Sequence, residues 1–324
     1  MILVVGGAGY IGSQVVKLLV KTEQVIVYDN FSTGHRDAVD ERALIIEGDL
    51  ADEQRLTQVF SLFQIDAVIH LGAVSLEDDS IKNPQRSYEH NVAATLVLLK
   101  VMRAHEVNNI IYSSTAAIYA PMKELLHEKS LVEPITPYGR SHYFVEQILE
   151  DYAKAYDMNC IVLRYFNVVG AHSMPKSGED YSLETQLISQ ILKHLNGETL
   201  DIPIFGEDYT TPDGTYIRDY IHVADVANAY VLALEALLLR ETTFTIYNIG
   251  NEQGYSVKEI IEMCEHITNK KATVKISNRR VGYPAVLVVS SKKIQQELGW
   301  RAEKNLQQMI ADTWLRHQYL KYLP

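Results

Sequence analysis

The chain has 324 residues, of which 47% are hydrophobic and 22% are charged, and its formal net charge at pH 7 is −11. This length and composition are those of a globular protein with room for one large domain and a smaller one. The acidic charge argues against a general binder of nucleic acids or anionic membranes, since such proteins depend on clustered lysine and arginine.

Short β-branched runs alternate with longer amphipathic stretches through the first half of the chain. The amphipathic stretches predict helices over residues 11–20 and 52–63, and a third helix begins at Asn83-Pro84, an N-cap followed by proline at the first helical position. This alternation predicts an α/β fold with a doubly wound parallel sheet of the Rossmann type and right-handed crossovers. The β-branched runs predict buried strands at residues 2–5, 25–28, 44–46, 67–70, 110–113 and 160–164.

The pattern changes after Ala171. Residues 172–181 are polar and predict a loop, and residues 210–214 carry a strong turn signal. An apolar helix over residues 223–239 and a run over residues 245–249 predict a return to the large sheet. The remainder, which ends in a helix near residues 306–319, predicts a smaller α/β lobe over the carboxyl ends of the strands, where open sheets bind ligands. We therefore expect a Rossmann domain of residues 1–172 with a return segment at about 219–250, and a lobe of residues 173–218 and 251–324.

Features of other protein classes are missing from the sequence. Cys160 and Cys264 lie far apart and predict neither a disulfide framework nor a metal site. No basic leader with a cleavage site is recognisable, and the longest later apolar run, residues 231–239, is too short to span a bilayer. We therefore expect a cytoplasmic protein without a membrane partner, a nucleic-acid partner or a bound metal.

A glycine motif follows the first predicted strand and opens the first predicted helix. Its glycines, Gly6, Gly9 and Gly12, let the backbone turn tightly and approach a pyrophosphate at the helix N-terminus. The second strand ends in Asp29, where a carboxylate can accept ribose hydroxyls and would repel a 2′-phosphate, so NAD is favoured over NADP. Asp49 has two interpretations, as a contact for the adenine amino group or as the N-cap of the second helix.

Tyr138 opens a predicted long helix, and the strand before it ends in Ser113-Ser114-Thr115. A strand-end hydroxyl followed by a tyrosine at a helix start suits proton transfer to or from a bound substrate. Together with the glycine motif, this order resembles the extended short-chain dehydrogenase/reductase superfamily.

Further segments narrow the resemblance to the UDP-glucose (UDP-galactose) 4-epimerases. The most specific segment is Arg218-Asp219-Tyr220-Ile221-His222, and residues 163–172, 204–209 and 247–250 also look like the family. The resemblance implies epimerisation at C4 of a UDP-hexose with NAD. Tyr138, as phenolate, would take the proton of the 4′-hydroxyl while a hydride passes to NAD, and the 4-keto sugar would then turn over in the site.

The resemblance also implies the binding residues and the assembly. Relatives often pair as homodimers through two long helices, here residues 84–105 and 138–156, although their apolar residues would equally serve an ordinary core. The implied catalytic residues are Tyr138, Thr115 and His142. Implied cofactor contacts, besides Tyr138 and His142, are Gly6, Gly9, Tyr10, Ile11, Gly12, Asp29, Asn30, Phe31, Ser32, Thr33, Gly34, Asp49, Leu50, Leu71, Gly72, Ala73, Ser75, His90 and Phe166. Implied contacts of the UDP-sugar are Thr115, Asn167, Gln186, Ile204, Phe205, Arg218 and Arg280.

Several positions depart from the family pattern. His142 stands where the family has a lysine, which lowers the pKa of the tyrosine, and a histidine is mostly neutral at pH 7. Ser75, His90, Gln186 and Tyr283 also differ, the last standing where an aspartate usually meets the nucleotide ribose. We therefore expect weakened rather than abolished catalysis and an unaffected fold.

Two other functions compete with epimerisation. A nucleotide-sugar dehydratase would carry an Asp-Glu pair after the strand-end threonine, where this chain has Ala116 and Ala117, which cannot do acid–base work. A catalytically quiet protein that binds NAD or a nucleotide sugar is supported by His142 and Tyr283. The sugar itself stays open, because the width of the pocket near Val286 and Leu287 depends on packing.

Overall fold

Seven parallel strands form the central sheet. The computed structural model describes residues 1–74, 77–122, 124–171, 187–239, 243–279 and 283–320. Its strands are β1 (Ile2–Val5), β2 (Val25–Asp29), β3 (Leu44–Glu47), β4 (Ala67–His70), β5 (Asn109–Thr115), β6 (Asn159–Tyr165), β7 (Asn167–Val169), β8 (Ile202–Phe205), β9 (Ile217–His222), β10 (Phe244–Ile249), β11 (Gly254–Ser256), β12 (Val274–Ser277) and β13 (Val286–Leu287). The large sheet has the order β3-β2-β1-β4-β5-β6-β10. Because the chain builds outward from β1 on one side and from β4 on the other, the crevice between these two strands is the expected ligand site.

Helices cover both faces of this sheet. They are α1 (Tyr10–Leu19), α2 (Glu53–Leu62), α3 (Glu77–Lys82), α4 (Pro84–Ser87), α5 (Ala94–Ala104), α6 (Pro137–Tyr156), α7 (Leu187–Leu195), α8 (Val223–Leu238), α9 (Val257–Thr268), α10 (Lys292–Leu298) and α11 (Leu306–Leu320). Side chains of α1 and α8 pack on one face, and those of α2, α5 and α6 pack on the other. β1 serves both cores, since Ile2 and Val4 point to the first face and Leu3 and Val5 to the second, as side chains of a strand alternate.

The second lobe is built around β9. This strand pairs antiparallel with β11 and parallel with β13 and β7, while β8 and β12 form a separate parallel pair. Helices α7, α9 and α11 bury their apolar sides in one cluster with β8. Since β7 begins two residues after β6 ends, its pairing with β9 holds the lobe at the carboxyl edge of the large sheet.

The predicted strands and helices are confirmed, with ends shifted by one or two residues. The predicted return to the large sheet is also confirmed, because β10 pairs with β6. Residues 219–222 of the return segment lie in β9 of the second sheet, and the division into two domains stays a prediction. The loop predicted over residues 172–181 lies outside the described residues. None of the helices described is long and apolar enough to cross a membrane.

Candidate active site

The glycine motif packs closely against its neighbours at the carboxyl ends of β1 and β4. Gly6 has a positive φ of 76°, and a Cβ at this position would lie 2.7 Å from the backbone nitrogen of Gly72. A Cβ on Gly12 would lie 2.2 Å from the carbonyl oxygen of Gly6. Glycine is therefore required at both positions. The absence of a Cβ lets the N-terminus of α1 and the loop after β4 meet at the carboxyl edge of the large sheet. Such an N-terminus is suited to a pyrophosphate.

Asp29, at the end of β2, holds the glycine motif in place. Its Oδ2 accepts a hydrogen bond from the backbone N–H of Ala8 at 2.9 Å, and its Oδ1 accepts one from the N–H of Phe31 at 2.8 Å. Each carboxylate oxygen has two lone pairs, so both can still accept a ribose hydroxyl. The Asp29 carboxylate can therefore make the predicted contact with a ribose. It also holds the glycine motif in place, a structural role that the motif did not indicate.

The interpretation of Asp49 as a helix N-cap is wrong. The N-cap of α2 is Asp52, whose side chain accepts from the N–H of Arg55 at 2.9 Å. Asp49 accepts instead from the N–H of Ala51 and from the side-chain amide of Asn30, each at 2.9 Å. These hydrogen bonds, that from Ala51 first, lower the pKa of Asp49, so a charged acceptor stands at the strand edge.

The other predicted cofactor contacts that the structure describes here lie in the segments that follow β1, β2, β3 and β4. Tyr10 donates its hydroxyl hydrogen to the carbonyl oxygen of Gly170, which links α1 to the end of β7. Gly34 has no room for a Cβ, which would lie 2.8 Å from the backbone of Ala8. Among the remaining predicted contacts, Ser32 and Thr33 are exposed, whereas Ile11, Leu50, Leu71 and Ala73 are half-buried. Ser75 lies outside the described residues.

Asn91, the neighbour of the predicted cofactor contact His90, links two segments of the candidate site. His90 is exposed on the π-helical turn Tyr88–Ala93, whereas Asn91 is buried. The Asn91 carboxamide accepts from the N–H of Val74 at 2.8 Å and donates to the hydroxyl of Ser141 at 2.9 Å. It thereby joins the loop after β4 to the first turns of α6. The contact of His90 with the cofactor stays a prediction.

The first turn of α6 brings Tyr138 to the end of β5. Thr136 caps the helix by accepting from the N–H of Gly139 at 3.2 Å. A Cβ on Gly139 would lie 2.7 Å from the carbonyl oxygen of Ala117, so the helix start presses against the turn that follows Thr115. Tyr138 is half-buried there, and Thr115 is buried. The structure therefore places the helix turn that carries Tyr138 against the turn that follows Thr115.

His142 lies one turn further along α6 and is buried. Its ring contacts the ring of Tyr138 edge-on, with centroids 4.7 Å apart, and its Nδ1 shares a hydrogen bond of 2.8 Å with the hydroxyl of Tyr112. Burial lowers the pKa of His142 to about 4, so the imidazole is neutral at pH 7.

The second ring nitrogen of His142 bears on the expected cofactor. Nε2 is buried and makes no hydrogen bond within the part of the chain that the structure describes. Because a buried polar atom costs free energy unless it is paired, Nε2 fits a ligand that brings a hydrogen-bonding group. A nicotinamide ribose hydroxyl would satisfy it. The glycine cradle and this nitrogen together fit a nicotinamide dinucleotide.

The described residues predicted for the UDP-sugar lie on four strands: Thr115 on β5, Asn167 on β7, Ile204 and Phe205 on β8, and Arg218 on β9. The side-chain amide of Asn167 donates to the carbonyl oxygen of Asp219 at 3.2 Å, which places it beside Arg218. Ile204 is buried at the end of β8, and the adjacent Phe205 is half-buried. Phe166, a predicted cofactor contact, is half-buried and packs near the end of β5. Gln186 and Arg280 lie outside the described residues.

Fold and site together define a dinucleotide-binding α/β protein with a tyrosine and a strand-end threonine held beside the cofactor edge. The sequence matches the NAD dependent epimerase/dehydratase family over residues 2–250. The chain belongs to this family.

Relatives resemble the chain over nearly its whole length. The UDP-glucose 4-epimerase of Halalkalibacterium halodurans is 42% identical to this chain, and the match covers 98% of this chain and 95% of the relative. A UDP-glucose 4-epimerase from Brucella ovis, solved in complex with NAD, has a TM-score of 0.92 at 37% identity and covers 97% of both chains. One from Bifidobacterium longum, in complex with NAD⁺ and UDP, has a TM-score of 0.91 at 34% identity and covers 98% of both.

Proposed function

We propose that this chain is an NAD-dependent epimerase that inverts C4 of a UDP-hexose and interconverts UDP-glucose and UDP-galactose. The observation that carries the proposal is the position of Tyr138, whose ring packs against His142 and whose neighbour Gly139 lies against the turn after Thr115. The relatives at about 40% identity, which are named UDP-glucose 4-epimerases, support the same reaction.

In this proposal the protein moves one proton and holds both ligands. The bound NAD supplies reversible oxidation and reduction at C4′ of the sugar. Tyr138 takes the proton of the 4′-hydroxyl and returns it after the 4-keto sugar has turned over, and Thr115 orients the same oxygen through a hydrogen bond. Arg218 binds the diphosphate together with Arg280, because a guanidinium pairs with phosphate through two parallel N–H donors.

A direct assay tests this function. Purified protein supplied with UDP-galactose should form UDP-glucose, resolved by chromatography, until the same ratio of the two sugars is reached from either direction. The matched control is the Tyr138→Phe variant. A wild-type protein that binds NAD and gives no turnover would support the alternative, a ligand-binding protein without catalysis, which the neutral His142 favours.

Restoring a charge at position 142 is expected to increase turnover. In a His142→Lys variant an ammonium would stand one turn from Tyr138 and favour the ionised phenol, and each unit of pKa corresponds to about tenfold in that equilibrium. We expect a rise in kcat of about tenfold near neutral pH. An ultraviolet absorbance titration of the phenolate should show ionisation at lower pH than in the wild type.

The control for this variant is His142→Gln, which is uncharged and should not increase turnover. If His142→Lys leaves kcat unchanged or lowers it, the hydrogen bond to Tyr112 makes histidine the better residue in this protein.

A homodimer through α5 and α6 is part of the proposal. Leu96 and Phe144 are large hydrophobic residues on these helices that are 40% and 43% exposed, and Phe144 stacks on Tyr88 with centroids 6.1 Å apart. Light scattering on the purified protein measures its mass and so tests the dimer. The cytoplasmic location remains a prediction from the sequence.

A further inference from the structure

Tyrosine and arginine side chains lie together where two loops of the second lobe meet. One loop joins β8 to β9, and the other joins β12 to β13. The guanidinium of Arg218 lies 4.7 Å from the ring centroid of Tyr216 and 5.3 Å from that of Tyr283, and the two ring centroids are 5.9 Å apart at 62°. Nearby, the guanidinium of Arg279 lies 3.8 Å from the ring centroid of Tyr209. We call Tyr216 and Tyr283 the aromatic clamp of Arg218.

The clamp fixes a guanidinium that is almost fully buried. Arg218 is 6% exposed, and its Nη1 donates to the carbonyl oxygen of Ile217 at 2.8 Å. The rings attract the cation through their negative faces, and this contact does not use the in-plane N–H donors of the guanidinium. A guanidinium held by ring faces presents its in-plane N–H donors, which are the groups that recognise phosphate.

We propose that Tyr216 and Tyr283 are positioning residues for recognition of the substrate diphosphate. They hold the Arg218 side chain through its face and so aim its in-plane donors at the phosphates. This inference rests on the proposed function, because it takes the diphosphate of a UDP-sugar as the ligand of Arg218. It gives Tyr283, a departure from the family pattern, a function in binding.

The proposal predicts which kinetic constant changes. The diphosphate is remote from C4′ and does not change during the reaction, so its contacts contribute equally to binding the substrate and the transition state. Loss of such uniform binding raises KM and leaves kcat near its original value. A residue needed for the chemistry itself would lower kcat.

The test compares Tyr283→Leu, Tyr283→Phe and Tyr216→Leu in the full-length protein loaded with NAD. Calorimetry should show that each leucine variant binds UDP roughly tenfold more weakly, the effect of losing one cation–π contact to a desolvated guanidinium. Binding of uridine, which lacks the diphosphate, should change less than twofold, a factor within the error of such comparisons. Tyr283→Phe keeps the ring and should bind UDP like the wild type.

The outcomes separate this inference from the proposed function. If Tyr283→Phe weakens UDP binding as much as Tyr283→Leu does, the inference is overturned, because the hydroxyl rather than the ring face would then matter. If the leucine variants bind UDP and uridine equally more weakly, the inference is overturned too, because that result would indicate general damage to the lobe. If Tyr283→Leu does not fold, the same comparison with Tyr216→Leu decides. If the variants show this pattern of UDP binding but the wild-type protein does not epimerise a UDP-sugar, the proposed function is refuted and the aromatic clamp is still supported.

Discussion

Replacing Tyr138 by phenylalanine is expected to reduce kcat for epimerisation by about a thousandfold, since a positioned general acid–base group contributes about 10²–10⁴ in rate. The variant loses the hydroxyl that handles the 4′-proton and keeps the ring that packs on His142 at 4.7 Å. UDP should therefore bind with unchanged affinity. Single-turnover and steady-state rates with UDP-galactose measure the loss.

The control for this prediction is Tyr143→Phe, a neighbouring tyrosine on α6 that is half-buried beside the loop after β5. Its rate should stay near that of the wild type. If Tyr138→Phe keeps more than about a tenth of the wild-type kcat, another group takes the proton and the role of Tyr138 is wrong.

Removing the Glu146 side chain is expected to lower the free energy of unfolding by about 3–5 kcal/mol. Glu146 on α6 and Arg164 on β6 form an ion pair whose side chains are each 3% exposed. The carboxylate accepts from Nε of Arg164 at 2.9 Å and from the hydroxyl of Ser114, and the guanidinium also donates to the hydroxyl of Tyr119 at 2.8 Å. Glu146→Ala would leave a buried guanidinium without its counter-charge, which is the costly event.

Urea unfolding monitored by circular dichroism measures this loss. The matched control is the exposed ion pair of Lys154 with Glu150, 2.7 Å apart on the same helix, where Lys154→Ala should leave the unfolding midpoint close to that of the wild type. The double variant Glu146→Leu with Arg164→Met should recover part of the loss, because it buries no charge. A cost below about 1 kcal/mol for Glu146→Ala would mean that water or another group compensates Arg164.

Features that depend on neighbours in the chain were predictable. The positions of the large-sheet strands follow from apolar runs, and the start of α6 follows from Thr136 and Pro137, an N-cap and a first-turn proline. The glycine motif with Asp29 indicated the cofactor and its place, because spacing alone matches a turn of backbone to a pyrophosphate. The sequence left Asp49 open as a contact for adenine or as the N-cap of the second helix; the N-cap interpretation is wrong, since the nearby carboxylate of Asp52 satisfies the same local pattern.

Features that depend on distant residues were not predictable. Asn91 contacts Val74 and Ser141, which lie 17 and 50 positions away, so the sequence did not indicate its role. A mostly neutral His142 was expected from the ordinary pKa of histidine, but the further lowering of that pKa by burial and the hydrogen bond to Tyr112, 30 positions earlier, were not.

The sequence by itself determined the fold class, the cofactor edge and the tyrosine at its centre, because periodicity, glycine spacing and helix capping act over a few residues. The tertiary structure alone decided how those groups are tuned. Burial lowers the pKa of His142 to about 4, and the meeting of two loops brings Tyr216 and Tyr283 into contact with Arg218. Charge and orientation depend on what surrounds a side chain in space, and the chain order of residues does not contain that information directly.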